Sequence, residues 1–253
     1  MFADPRLYIL GAIILLSYTT QAISGFGSIV IAVTLGAFLF DIAEMLPVLV
    51  PLNIVLNLWL VGKHARHIER KLLFWRILPI MGGGLLIGIL IFEYVQGETL
   101  KQALAVLIVF LASLELLRVL SSRENTALKL LNYIPIPVWI LLSGITHGMY
   151  ASGGPFLVYA LGRLELSKAI FRATLVAVWL IFNGVLTVQY LFNGRIGNFE
   201  WLQILIYTPL VILGIVIGEW AHHRVNERHF RILVFTLLLF AGGVLVLKSF
   251  QIM

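Results

Sequence analysis

The residues that could do chemistry stand in short polar breaks inside otherwise apolar sequence. Gly144–Tyr159 reads G-I-T-H-G-M-Y-A-S-G-G-P-F-L-V-Y. Pro155 has no N–H, and its ring clashes with a preceding helical turn. Gly153 and Gly154 ahead of it allow backbone angles that other residues avoid. A helix is therefore expected to break there and to restart with Pro155 in its first turn, where proline is well tolerated. The restart leaves first-turn N–H groups free and presents the positive end of a helix dipole, which suits an anion. Ser152 is the candidate cap or ligand. Gln21, Ser24, Gly25, Gly27 and Ser28 make a similar break early in the chain, with Ser24 and Gln21 as side-chain donors. The plainer reading of both glycine groups is close helix packing.

Other polar side chains fall near these breaks. His147 is the only histidine away from the loops. It could relay protons or sit neutral against a backbone carbonyl. Tyr150 and Tyr159 either offer hydroxyls to a ligand or pack their rings. Asn53 and Asn183 occupy matching places on the apolar runs that follow each break, with Asn57 on the face of Asn53 and Thr187 similarly placed beside Asn183. Arg172 opens a run; it either attracts anions or, more plainly, snorkels to a surface. His64, His67, His222, His223 and His229 lie in basic loops without an obvious set of carboxylate partners, so no metal site is expected. No cofactor is implied either.

Composition sets the solvent for this chemistry. The chain has 253 residues, 60% hydrophobic and 12% charged, against about 25% charged in a soluble domain. Mean hydropathy is +1.01. The apolar excess runs the whole length, which makes a multi-pass membrane protein in contact with lipid. The net charge of +6 sits mainly in short loops, so membrane topology explains it and no nucleic-acid partner is called for. There is no cysteine, which excludes disulfides, thiol catalysis and thiolate metal sites.

The apolar runs fall into two halves. The first run, Leu7–Phe40, exceeds the roughly 20 residues a crossing needs and contains the early break. Spans are expected at Ile42–Gly62, Leu72–Val95 and Leu100–Leu120. The central broken run, Ile134–Leu161, follows, and then spans at Ala169–Phe192, Phe199–Trp220 and Phe230–Lys248. Pro79 precedes Gly84 and Gly88 at the spacing with which Pro209 precedes Gly214 and Gly218. Asn53 precedes Pro79 as Asn183 precedes Pro209. These parallels predict an internal duplication: 1–120 as a first transmembrane repeat, 121–133 as a cytoplasmic linker and 134–253 as a second repeat. The Gly62–Lys71, Arg118–Lys129, Arg163–Arg172 and Ala221–Arg231 segments are all net basic. All four fall on the cytoplasmic side only if each broken run enters and returns at one face. The expected fold is all-α, with two inverted repeats, each a glycine-broken re-entrant hairpin plus three transmembrane helices. Such repeats place a substrate site near the midplane.

At the two breaks the chain resembles a known family. Ser24–Ser28, S-G-F-G-S, and Gly148–Tyr159, G-M-Y-A-S-G-G-P-F-L-V-Y, are similar to the two glycine motifs of the TauE/SafE family of sulfite and sulfonate transporters. The chain departs from the family at Ile31-Ala32-Val33, where a proline often follows the first motif. It departs again at Ser152-Gly153-Gly154, where the glycine core is shortened. The resemblance implies a bacterial inner-membrane carrier of small sulfur-containing anions, often outward. Read from the residues at and beside the two breaks, Gln21, Ser24, Gly25, Gly27, Ser28, Asn53, His147, Tyr150, Ser152, Gly153, Gly154, Pro155 and Asn183 are the candidate substrate contacts.

The leading expectation is thus a secondary transporter of sulfite or an organosulfonate, working by alternating access. A coupling proton or sodium ion and self-association are left open. No GxxxxGK[ST] motif is present to bind nucleotide. An intramembrane enzyme would need paired carboxylates, an oriented Ser–His pair or a metal motif, and none is evident. The alternatives are a non-transporting membrane scaffold or assembly factor, and a carrier of an unrelated small organic anion.

Overall fold

The computed structural model describes residues 4–95, 97–120, 131, 133–222 and 224–250, and among them the regular structure is entirely helical. The helices are α1 (Pro5–Ser24), α2 (Ser28–Gly36), α3 (Ile42–His64), α4 (Arg70–Tyr94), α5 (Glu98–Leu120), α6 (Ile136–Tyr150), α7 (Gly154–Leu161), α8 (Lys168–Phe192), α9 (Asn198–His222) and α10 (Glu227–Ser249). Most of the linker expected at 121–133 lies outside the described residues. The six unbroken spans read from hydropathy match α3, α4, α5, α8, α9 and α10 to within a turn at each end.

Among the described residues, seven helices are long and apolar enough to cross a bilayer, one more than the six unbroken spans. The seventh is α1, the first limb of the first broken run. Its break falls late, at Gly25, so the limb reaches 20 residues, whereas α6 stops at 15. The chain is a multi-pass membrane protein. The side chains turned outward are those lipid tolerates: Trp75, Leu86, Leu205, Val216 and Phe240 are all exposed.

Both breaks are built alike. Gly25 and Ala151 take left-handed angles (φ 86° and 50°) and donate their N–H to Gln21 O and His147 O, each at 2.7 Å. Gly25 pays nothing for that angle, and Gly27 at φ 101° needs glycine for the same reason. Ala151 is the one non-glycine residue with positive φ among those described; such outliers persist where the surroundings over-determine them. In both runs a short helix follows, α2 or α7, packed on the limb before it.

The packing partners repeat as well. α6 packs on α4, and α1 packs on α9. In the first pair, added Cβ atoms on Gly84 and Gly88 would fall 2.3 Å from Leu141 O and 2.1 Å from Ile145 O. In the second, those on Gly214 and Gly218 would fall 3.2 Å from Thr19 N and 2.4 Å from Ala22 Cβ. The Gly-x-x-x-Gly pairs therefore hold helix backbones in contact, as expected for small residues at a lipid-embedded interface. α3 packs on α8 and α5 on α10, like element against like.

The two ends of the bundle differ. At one end Glu219 bridges Lys63 and Arg172, while Arg163 donates to Ile134 O at 2.6 Å, joining both ends of the central run. At the other, an open cavity of about 1280 Å³ is lined by Asp4, Arg6, Asp41, Lys101, Arg195 and Glu200. The start of α1 and the segment after α2 meet there, with the Arg6 guanidinium 5.4 Å from the centre of the Phe40 ring.

Candidate functional site

The two breaks come together. Gly154 lies against Phe26, and Trp179 Nε1 donates to Gly25 O at 3.2 Å, so α8 ties both tips. Around them, α1, α2, α3 and α8 bring together amides that lie far apart in sequence. Gln21 Nε2 donates to Asn57 Oδ1 (2.9 Å), Asn57 Nδ2 to Asn53 Oδ1, and Asn53 Nδ2 to Gln21 Oε1 (3.0 Å), which closes a ring. Ser28 joins it: its N–H and hydroxyl both donate to Gln21 Oε1, and its Oγ accepts from Asn53 Nδ2 at 2.6 Å. Asn183 Nδ2 donates to Asn53 Oδ1 at 2.6 Å and links the second half to the first. Gln21, Ser28, Asn53, Asn57 and Asn183 are all at most 3% exposed. Polar groups this deep cost free energy unless paired, and this network pairs nearly all of them.

Against the network lies a small cavity of about 20 Å³, room for about one water. Its wall includes Gln21, Gly27, Asn53, His147, Ser152 and Asn183, with Gly154, Pro155 and Trp179. No charged side chain is among the described residues that line it. It shares no lining residue with the open cavity at the bundle end. Two buried polar atoms of this wall stay outside the amide ring, His147 Nε2 and Asn183 Oδ1, and they form a loose donor–acceptor pair with each other. The His147 ring is fixed by stacking on Trp179 (centroids 5.5 Å apart, planes at 18°), and its Nδ1 accepts the Gly153 N–H at 3.5 Å. That places the imidazole proton of the neutral ring on Nε2.

Helix ends complete the site. α2 starts at Ser28 behind Gly27, and α7 starts at Gly154 behind Gly153; neither has a side-chain cap. Ser152, expected as a cap or a ligand, caps neither helix start and sits buried in the cavity wall. Other expected residues are occupied nearby rather than facing the cavity. Ser24 Oγ donates to Thr20 O or Phe26 O, and the Gly25 carbonyl accepts from Trp179. Gly153 O accepts from Ser143 Oγ at 2.8 Å. Tyr150 donates to Leu100 O at 3.0 Å, on α5. Tyr159 packs on Trp139, with centroids 4.6 Å apart. Arg172 does not snorkel. It binds Ala22 O in the last turn of α1 and Glu219 at 2.9 Å, where a cation suits a helix C-terminus.

Trp179 is the residue the sequence reading missed. It lies one helical turn before Asn183, hence on the same face, and that spacing was the available signal.

A sequence model described as sulfite exporter TauE/SafE matches residues 10–245. The chain belongs to the TauE/SafE family. Among curated proteins it is similar to a probable sulfite/organosulfonate exporter TauE of Cupriavidus necator, with 24% identity over 270 residues covering 98% of each chain. No solved structure matches it. TauE/SafE members are transporters rather than enzymes.

Proposed function

We propose that this TauE/SafE protein is a secondary transporter that exports a small sulfur-containing anion, sulfite or an organosulfonate, across a bacterial inner membrane. The observation that carries the reading is that two uncapped helix starts, α2 and α7, meet at one buried, uncharged, hydrogen-bonding cavity. Free N–H groups at helix starts are natural anion ligands, and broken transporter helices aim them at substrate. Gln21, Gly27, Ser28, Asn53, His147, Ser152, Gly153, Gly154, Pro155 and Asn183 form or support this cradle. Ser24, Gly25 and Tyr150 hold the breaks in shape. Export and the sulfur anion are carried over from the name of the Cupriavidus relative.

Alternating access between two inverted repeats belongs to the same proposal. It is supported by the matched breaks, the matched glycine contacts and the gathering of both ends of each broken run at one end of the bundle. In a chain without native cysteine, single cysteines report sidedness directly. Gly197→Cys is expected to react with an impermeant maleimide from outside the cell, and Asn226→Cys only after the inner face is opened. The opposite labelling pattern would rule out the arrangement.

The substrate is tested by ligand-induced thermal stabilisation of purified protein with sulfite, thiosulfate, sulfoacetate, taurine and simple carboxylates, with sulfate and chloride as controls. At ligand a hundredfold above Kd, native-state binding adds about 2.7 kcal/mol. Stabilisation by sulfite, thiosulfate or a sulfonate, with none from sulfate or chloride, is expected. A response to carboxylates alone would reassign the substrate class.

A further inference from the structure

Helices that part at one end of the bundle are tied together at the other. The starts of α1, α3 and α9 stand around the open cavity, with Arg6 and Leu10 on α1, Met45 and Val48 on α3, and Phe199 and Gln203 on α9. The ion pairs Asp4–Arg6 and Lys101–Asp41 lie at that end. The first is local to the start of α1, and the second joins α5 to the start of α3, so neither fastens α9 to α3. At the opposite end, Glu219 of α9 accepts from Arg172 of α8 at 2.9 Å and from Lys63 of α3. The same Arg172 Nη2 donates to Ala22 O, in the last turn of α1.

These bonds sit on a seam. α1 packs on α9, α3 packs on α8, and α9 also borders α3. Ala22 and Glu219 belong to the first pair; Lys63 and Arg172 belong to the second. The Arg172 and Glu219 side chains are only 13% and 17% exposed, so water screens their attraction less than it screens a surface bridge. Arg172 also touches the first break. A Cβ added to Gly25 would fall 2.9 Å from Arg172 Cγ. Gln21, which lines the central cavity and closes the amide ring, directly precedes the Ala22 that Arg172 holds. The guanidinium opposes the negative end of the α1 dipole there.

We propose that Arg172 and Glu219 are positioning residues for transport: with Lys63 they latch the α1–α9 pair to the α3–α8 pair at the cytoplasmic end, and the central site opens to the cytoplasm only when Glu219 lets go. This rests on the transporter reading above, and on the cytoplasmic side that the basic Gly62–Lys71 and Arg163–Arg172 segments assign to this end. When one bundle rocks against the other, the open cavity at the far end is the space that the starts of α1, α3 and α9 close as the latch parts.

The test puts a single cysteine, Ser152→Cys, into the central cavity wall of the cysteine-free chain. Its modification by a membrane-impermeant thiosulfonate is timed in sealed inside-out and right-side-out vesicles. Adding Glu219→Gln is expected to raise the rate from the cytoplasmic face about tenfold, as for the loss of a charge-assisted hydrogen bond. The rate from the outer face is expected not to rise. A general loosening of the fold would raise both rates together; that result, or an unchanged cytoplasmic rate, overturns the latch. Where Glu219→Gln is not recovered folded, Lys63→Gln removes the half-exposed arm of the same node and leaves the Arg172 contacts in place. It is expected to raise the cytoplasmic rate severalfold, and an unchanged rate overturns the proposal equally. Counterflow of a monosulfonate by the unaltered protein in proteoliposomes keeps the two readings apart. Flux combined with labelling that Glu219→Gln leaves unchanged strikes the latch alone. Absence of flux strikes the transporter reading and the latch with it.

Discussion

Asn53→Leu is expected to abolish transport and to lower stability by roughly 3–5 kcal/mol, because it orphans several buried groups at about 1–3 kcal/mol each. Asn53 is the hub of the amide ring. Its Oδ1 accepts from both Asn57 and Asn183, and its Nδ2 donates to Gln21 and Ser28. Leucine fills similar space yet strands the donors of Asn57 and Asn183 in a place no bulk water reaches. Asn183→Leu should be milder for folding, since Asn183 gives the ring one hydrogen bond where Asn53 takes part in four, but as damaging for flux, since it lines the cavity. Thermal melting in detergent and liposome flux on the same preparations separate the two effects. An Asn53→Leu protein with near-native melting would show that the ring is not a structural unit.

The second large effect is expected at the contact between α4 and α6. Gly88→Ala should destabilise by about 3 kcal/mol or more, the upper end for overpacking, because the added carbon meets backbone rather than a movable side chain. Ile145 O would lie 2.1 Å away and Gly148 Cα 2.9 Å away. The helices must part, and the break that α6 carries moves with them. Gly83→Ala, five residues earlier on the same helix with nothing within 4 Å, is the control; it should gain up to about 1 kcal/mol from helix propensity alone. Equal melting temperatures for the two variants would remove the backbone-contact account.

These two sites show what sequence could and could not say. Hydropathy located α3, α4, α5, α8, α9 and α10, because a span in lipid must be a long apolar helix and little else. The breaks at Gly25 and Ala151–Gly153 were legible because glycine and proline act locally. Gly84 and Gly88 were legible as a packing face, but their partner was not: small-residue spacing marks a surface, and only the folded chain shows that Gly144 and Gly148 meet it. Asn53 and Asn183 could be paired by their matching positions, yet the ring through Gln21, Ser28 and Asn57 depends on distances between four helices. Arg172 misled for the same reason. An arginine at the start of a span usually snorkels, and nothing local revealed the open carbonyl of Ala22 or the carboxylate of Glu219.

Counterflow in proteoliposomes tests the central claim most directly, that a buried uncharged site at the paired breaks carries a sulfur anion across the bilayer. Vesicles loaded with an unlabelled monosulfonate are diluted into a trace of the same compound, labelled. The expected result is transient, saturable accumulation of label that external sulfite suppresses and that Asn183→Leu eliminates in protein that still melts cooperatively. Accumulation that Asn183→Leu leaves intact, or none in the unaltered protein with any sulfonate, would contradict the assignment.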